Sequence, residues 1–70
     1  MYLYNDNGGF CVIRQIENTA RAIYADVFGG FYDMPLRWAE KAAEFLNNGD
    51  YKRGLHMFDL IEANYKRRAA

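Results

Sequence analysis

The single histidine of the chain, His56, and its single cysteine, Cys11, are the residues with which it could pair a nucleophile with a general base. Such a pair needs a third group that orients the histidine, and the thiol needs polar or cationic neighbours that stabilise the thiolate. Cys11 lies in an apolar segment, residues 10–13, which is typical of a buried cysteine. His56 lies between Lys52 and Asp59 at helical spacing, which predicts an imidazole at the surface. We therefore predict that the protein is not an enzyme.

Metal and acid–base chemistry require groupings of residues that this sequence does not provide. One histidine and one cysteine are too few for a zinc site of any usual ligand spacing. Paired carboxylates perform acid–base catalysis when one of them is desolvated. The pairs in this chain, Glu40 with Glu44 and Asp59 with Glu62, neighbour basic side chains and are expected on solvated helix faces. The sequence predicts no catalytic residue, no metal and no cofactor.

Basic side chains are concentrated in the second half of the chain. Residues 36–70 hold seven Lys and Arg against five Asp and Glu, whereas residues 1–35 hold two against four. Five of the basic residues fall near the two ends of the last predicted helix and could contact phosphates: Lys52, Arg53, Lys66, Arg67 and Arg68. The formal net charge is zero, although nucleic-acid-binding domains are typically basic. Nucleic-acid binding is therefore the alternative function and not the preferred one.

Aromatic residues make up 17% of the chain, which is more than so small a core is expected to bury. Exposed tyrosine and phenylalanine are enriched at protein interfaces. Phe31 and Tyr32 follow a pair of glycines, so we expect them to project from a loop and contact a partner. Tyr2 and Tyr4 lie on a predicted edge strand and are the second candidates.

The length of 70 residues is that of one small domain, residues 1–70. One cysteine cannot form an internal disulfide, and a reducing, cytoplasmic location is therefore expected. The first residues do not have the pattern of a signal peptide, and no apolar run is long enough to cross a membrane. We expect no membrane partner.

The elements that position these residues begin with a predicted β-hairpin over residues 1–16, with its turn at residues 6–9. Residues 17–28 favour a short helix, because Ala20, Ile23 and Tyr24 follow the spacing i, i+3, i+4 and alanine favours helix. The alternative for this segment is a third strand after a turn at Glu17-Asn18.

A helical hairpin is predicted over residues 34–68. Asp33 is expected to cap the first helix, residues 34–47, and Asp50 the second, which follows a stop at Gly49. The basic residues 66–68 are expected to complement the dipole at the end of the last helix. The predicted fold class is α+β and mostly helical, with an N-terminal β-hairpin, a short helix or third strand, and a C-terminal αα-hairpin.

Residues 35–66 resemble a single tetratricopeptide repeat, a helix-turn-helix unit of about 34 residues. The matching positions are Trp38, Ala42, Phe45, Gly49-Asp50-Tyr51, Gly54 and Phe58. The resemblance implies two helices that cross closely where Ala42 and Gly54 meet. It implies no peptide-binding groove, because a groove requires several stacked repeats.

From these observations we predict a non-enzymatic protein–protein interaction module that binds another protein, a second copy of itself as a homodimer, or both. In size it is similar to the small accessory or inhibitory proteins that phages and mobile elements direct against larger complexes. The alternative is a nucleic-acid-binding protein that uses the basic residues of the last helix.

Overall fold

A five-stranded antiparallel sheet with two helices packed on one face forms the fold. The computed structural model describes residues 1–5, 11–26 and 28–69. The strands are β1 (Tyr2–Asn5), β2 (Cys11–Gln15), β3 (Arg21–Asp26), β4 (Gly30–Pro35) and β5 (Arg68–Ala69). The helices α1 (Leu36–Asn47) and α2 (Tyr51–Asn64) lie between β4 and β5 in the chain. The spatial order of the strands is their order in the sequence.

The prediction of a mostly helical fold is wrong, because helix and strand are nearly equal at 41% and 37% of the described residues. The antiparallel pairing of β1 with β2 agrees with the predicted N-terminal hairpin. The turn predicted at residues 6–9 lies outside the described residues. The predicted helix pair is present. The fold is less helical than predicted because the sheet has three strands beyond the two of the hairpin.

The helix preferred for residues 17–28 is wrong, and the alternative third strand, β3, is present. The chain reverses in a turn in which the Thr19 N–H donates to the Ile16 carbonyl at 3.2 Å. Asn18 has a φ of 60°, a left-handed conformation that asparagine tolerates better than most residues. The turn signal in the sequence was therefore correct, and the helical spacing was misleading.

The reason for that error is that β3 carries apolar residues on both of its faces. Ala22 and Tyr24 are buried under the helices, while Ile23 and Ala25 point to the other side of the sheet. When both faces are apolar, the alternation that identifies a strand disappears from the sequence. Pairing with β2 and β4 on either side then decides the conformation.

The loop predicted around Phe31 and Tyr32 is also wrong, since both residues lie in β4. Of the two glycines, Gly29, with a φ of +81°, lies in the turn between β3 and β4, whereas Gly30 begins β4. Asp33 does not cap α1, which starts at Leu36 with no side-chain cap. Instead, the Leu36 N–H donates to the Ala20 carbonyl at 2.8 Å.

The second helix starts as its sequence predicts and ends earlier. Gly49 has a φ of +80°, and the Asp50 carboxylate accepts a hydrogen bond from the Arg53 N–H at 3.2 Å. Because α2 ends at Asn64, the basic residues 66–68 lie beyond its last turn and lead into β5. Their predicted role in complementing the helix dipole is therefore wrong.

The core lies between the sheet and the helix pair. Its buried members are Cys11, Ile13, Ala22, Tyr24, Tyr32, Met34, Ala39, Ala42, Ala43, Leu46, Phe58 and Ile61. Three aromatic rings tie α2 to the sheet, because Tyr24 stacks on Phe58 at a centroid distance of 4.3 Å and on Tyr32 at 5.7 Å. The sheet is therefore held on one face by a compact aromatic stack.

The close contact at Gly54 is made by Leu46, whereas the predicted meeting of Ala42 with Gly54 stays a prediction. Ala42 and Gly54 are buried, and the Leu46 side chain lies against Gly54. The helix pair packs on a sheet, whereas tetratricopeptide repeats stack on further helix pairs. A relationship to that family stays a prediction.

Candidate functional site

The face of the sheet that points away from α1 and α2 carries the candidate site. Directly opposed residues of neighbouring strands share a face, so the strand register identifies its members. We call this surface the open face, and its residues are Tyr2, Asn5, Val12, Arg14, Arg21, Ile23, Ala25, Phe31, Asp33, Pro35 and Arg68. Both helices pack on the opposite side of the sheet.

The centre of the open face is apolar. Val12, Ile23, Ala25 and Phe31 are partly accessible there and lie on adjacent strands. An antiparallel sheet that turns one face to water normally carries polar residues on that face. A row of apolar side chains on this side is therefore a feature that the fold alone does not require.

Two adjoining depressions indent the open face, and Tyr2, Arg14 and Ile23 border both of them. The larger, about 440 Å³, extends towards the turn between β2 and β3. The smaller, about 250 Å³, reaches Val12 and Ala25. Arg14 therefore lines both depressions, whose linings are mainly apolar, and Gln15 and Glu17 also line the larger one.

Charge on the open face is predominantly positive. Arg21 forms an ion pair with Asp33, with 2.9 Å between Nη2 and Oδ1. Arg14 and Arg68 are exposed, and neither forms an ion pair within the part of the chain that the structure describes. Among the described residues, these two arginines are thus exposed cations without an ion-pair partner.

The four predicted partner-contact residues divide between the two faces of the sheet. Tyr2, which is 62% exposed, and Phe31 lie on the open face. Tyr4 packs against the core, and Tyr32, which is 6% exposed, belongs to the aromatic stack. Phe31 and Tyr32 are separated because consecutive residues of a strand point to opposite faces. The structure brings Tyr2 and Phe31 to one surface and removes Tyr4 and Tyr32 from it.

Sequence reasoning missed the other residues of the open face, above all Arg14, Val12 and Ile23. A usable signal was present, since β2 and β3 have apolar residues at both odd and even positions. Such runs are typical of strands covered on both faces. The helices cover only one face of these strands. Apolar residues at both odd and even positions therefore indicate a second apolar face that the helices leave uncovered.

The basic residues of the alternative function do not form one surface. Lys52 and Arg53 lie at the start of α2, and the Arg53 guanidinium is 3.5 Å from the Asp50 carboxylate. Arg67 is paired with Asp26, and Arg68 belongs to the open face. Lys66 is exposed between the end of α2 and β5. The ends of α2 are roughly 20 Å apart at 1.5 Å per residue.

Asp26 anchors the C-terminal segment beside the turn between β3 and β4. Its Oδ1 accepts hydrogen bonds from the Phe28 and Gly30 N–H groups at 2.9 and 3.0 Å, and its Oδ2 accepts one from Arg67 Nε at 3.1 Å. Burial acts to raise the pKa of Asp26, but these three hydrogen bonds outweigh it and lower the pKa below its usual value of 3.8. The carboxylate form thus holds Arg67, and with it β5, against the edge of β4.

We expect Asp26→Asn to remove part of the acid dependence of stability. A carboxyl whose pKa is lowered by folding adds stability above its usual pKa and loses it as the pH falls through the folded value. The free energy of unfolding of the parent protein should therefore fall as the pH drops below 3.8, and the variant should show a shallower fall. Urea denaturation over a pH series measures this, with Asp59→Asn on exposed α2 as the control. Identical profiles for the parent and Asp26→Asn would contradict the anchoring role.

The candidate nucleophile and base, Cys11 and His56, line neither depression of the open face. Cys11 is 3% exposed on the helix-covered side of β2, whereas His56 is exposed on α2. Burial, and next the charge of Glu62, raise the pKa of the Tyr24 hydroxyl well above its usual range, so it stays protonated at neutral pH. Within residues 1–5, 11–26 and 28–69, no three His, Cys, Asp or Glu side chains gather as a metal site would require.

A third accessible recess lies on the helices. Trp38, Met57 and Leu60 form its apolar floor, Arg37 and Lys41 lie at its rim, and its volume is about 320 Å³. The Trp38 ring contacts Tyr65 edge to face at a centroid distance of 5.8 Å. This recess is the other candidate for a partner-binding surface. Neither Tyr2 nor Phe31 borders it.

Comparison with known proteins identifies no relative. No protein-family model matches the chain, and no curated protein or solved structure matches it. Neither helix in the described part of the chain combines the length and apolar character needed to span a membrane.

Proposed function

We propose that the protein is a non-enzymatic protein–protein interaction module that binds another protein through the open face of its sheet. One observation carries this proposal: the apolar centre of a sheet face lies opposite the helices, with Tyr2 and Phe31 on the same side. Interfaces combine an apolar centre with aromatic residues and arginine, as this surface does. The two recesses beside Arg14 give a partner places to insert side chains.

Binding without chemistry is consistent with a role as an accessory or inhibitory subunit of a larger complex. A domain of 70 residues buries a smaller fraction of its surface on folding than a larger domain does, and it gains stability when a partner binds the folded state. In this protein, the partner would cover the face of the sheet that the helices leave accessible.

Nucleic-acid binding through the last helix has less support. Its five basic residues are distributed over both ends of α2 and the open face, and Arg53 and Arg67 are engaged with aspartates. Phosphate recognition relies on several cations along one path. It is retained as an outcome of the experiment below.

The proposal is tested by cross-linking from one face at a time. We expect a photoreactive benzoyl-phenylalanine at position 31 to form a covalent adduct with a protein in cells of the source organism. The matched control replaces Phe45 on α1, which is also partly buried but lies on the helix side. Adducts are detected by a shift in electrophoretic mobility and identified by mass spectrometry. The control is expected to give no adduct.

Three results would contradict the proposal. Adducts from position 45 but not from position 31 would place the contact on the helices. An adduct at position 31 that is removed by nuclease would favour the nucleic-acid alternative. No adduct at either position, with both variants folded by circular dichroism, would exclude a partner at the open face under those conditions of growth.

A further inference from the structure

The net charge of the open face restricts the chemistry of its partner. Three arginines and one aspartate lie among its described residues, where Arg14 and Arg68 form no ion pair. Glu17 lines the larger depression together with Arg14, and the described charges on this side of the sheet still leave a surplus of positive charge. The chain as a whole has no net charge. The surplus of positive charge is therefore a local property of this surface.

The position of Arg14 adds geometry to that charge. It lies in the row formed by Tyr2, Arg14 and Ile23, and it borders both recesses. A guanidinium presents a planar set of donors that binds a carboxylate through two hydrogen bonds. A carboxylate placed at Arg14 would bring its neighbouring groups next to two recesses with mainly apolar linings.

A second copy of the chain does not complement this surface. Two open faces packed against each other would bring together two sets of uncompensated arginines, Arg14 and Arg68 from each copy. Like charges that face each other across an interface oppose association. An acidic partner has the complementary charge.

Resting on the function proposed above, we infer that the open face binds an acidic protein segment in which carboxylates are interspersed with apolar side chains. Arg14 is the central contact for a carboxylate, and the two recesses that it lines accept the apolar groups. Arg68 attracts a second carboxylate at the β5 edge of the surface. The partner is a protein other than a second copy of this chain.

The experiment starts from peptides, because they present carboxylates and apolar groups in every combination. A random peptide library displayed on phage is selected on the immobilised full chain, and enriched peptides are synthesised with a fluorescent label. We expect the enriched sequences to combine Asp or Glu with apolar residues. Fluorescence anisotropy should show at least tenfold weaker binding to Arg14→Glu, a loss of about 1.4 kcal/mol.

Reversing the charge of the peptide shows whether Arg14→Glu weakens binding through its charge or through a disturbed fold. Peptides whose acidic residues are replaced by lysine should bind Arg14→Glu better than they bind the parent protein. Arg37→Glu, an exposed arginine on α1, is the matched control and should leave the affinity for acidic peptides unchanged. Arg14→Gln serves as the second variant if Arg14→Glu does not fold. It should lower the affinity for acidic peptides without raising the affinity for basic ones.

Several results would overturn the inference, and they are distinguishable from failure of the proposed function. If the selection enriches basic or uncharged peptides, or no peptides, the partner is not acidic. In that case an adduct from position 31 would still support an interaction through the open face. A dimer in light scattering that Ile23→Arg dissociates makes a second copy the occupant. Binding of oligo(dT) or poly(U) that Arg14→Glu abolishes rejects both the acidic partner and the proposed function.

Discussion

Replacing Phe58 by alanine is expected to lower the free energy of unfolding by about 3–5 kcal/mol. Phe58 is 4% exposed, and its ring stacks on Tyr24 at a centroid distance of 4.3 Å. The substitution removes apolar contacts and leaves a cavity between α2 and the sheet. Total stability is about 0.05–0.15 kcal/mol per residue, or roughly 4–10 kcal/mol for this chain. The expected loss is therefore comparable to the total free energy of unfolding of the chain. Urea denaturation followed by circular dichroism measures it.

The control for this prediction is Leu55→Ala on the same helix. Leu55 is 42% exposed and lies outside the core, so its truncation should cost much less. Equal losses for the two variants would show that the aromatic stack does not hold the helices on the sheet.

Replacing Gly54 by leucine is expected to lower the free energy of unfolding by about 1–3 kcal/mol. A Cβ at Gly54 would lie 2.7 Å from Leu46 Cγ and 2.5 Å from its Cδ2. Leu46 is itself buried, so α1 and α2 have to separate to admit a larger side chain. The gain in helix propensity over glycine, up to about 1 kcal/mol, offsets part of this cost. Thermal and urea denaturation of the variant test the close approach.

His56→Leu is the matched control, because it introduces the same side chain at an exposed position of α2. It should leave stability nearly unchanged. A raised melting temperature for Gly54→Leu would mean that the helices do not need a small residue at this crossing, and the tetratricopeptide-like spacing would lose its packing explanation.

Local signals predicted the helix pair well. Gly49 and Asp50 act through their own backbone conformation and through a hydrogen bond three residues away, so their effects are contained in a few neighbouring residues. The start of α1 was less predictable, because the Leu36 N–H is satisfied by the carbonyl of Ala20, on a distant part of the chain.

The candidate site was predictable only in part. Tyr2 and Phe31 were named from their residue types, but Tyr32 was placed beside Phe31 on the assumption of a loop. In a strand, neighbouring residues point to opposite faces, so the same pair is divided between core and surface. Arg14 was not predicted, because its importance comes from the two recesses beside it and the absence of an aspartate opposite it in the described strands.

By itself the sequence determined the helix pair, the cap at Asp50 and an excess of aromatic residues over what one small core holds. Only the tertiary structure decided that residues 21–26 form a strand, that Arg67 binds Asp26 and that Arg14 faces a surface opposite the helices. The physical reason is the range of the interactions. Caps and turns depend on residues within four positions, whereas a strand whose two faces are both apolar takes its conformation and its buried side from neighbours that the chain brings to it on folding.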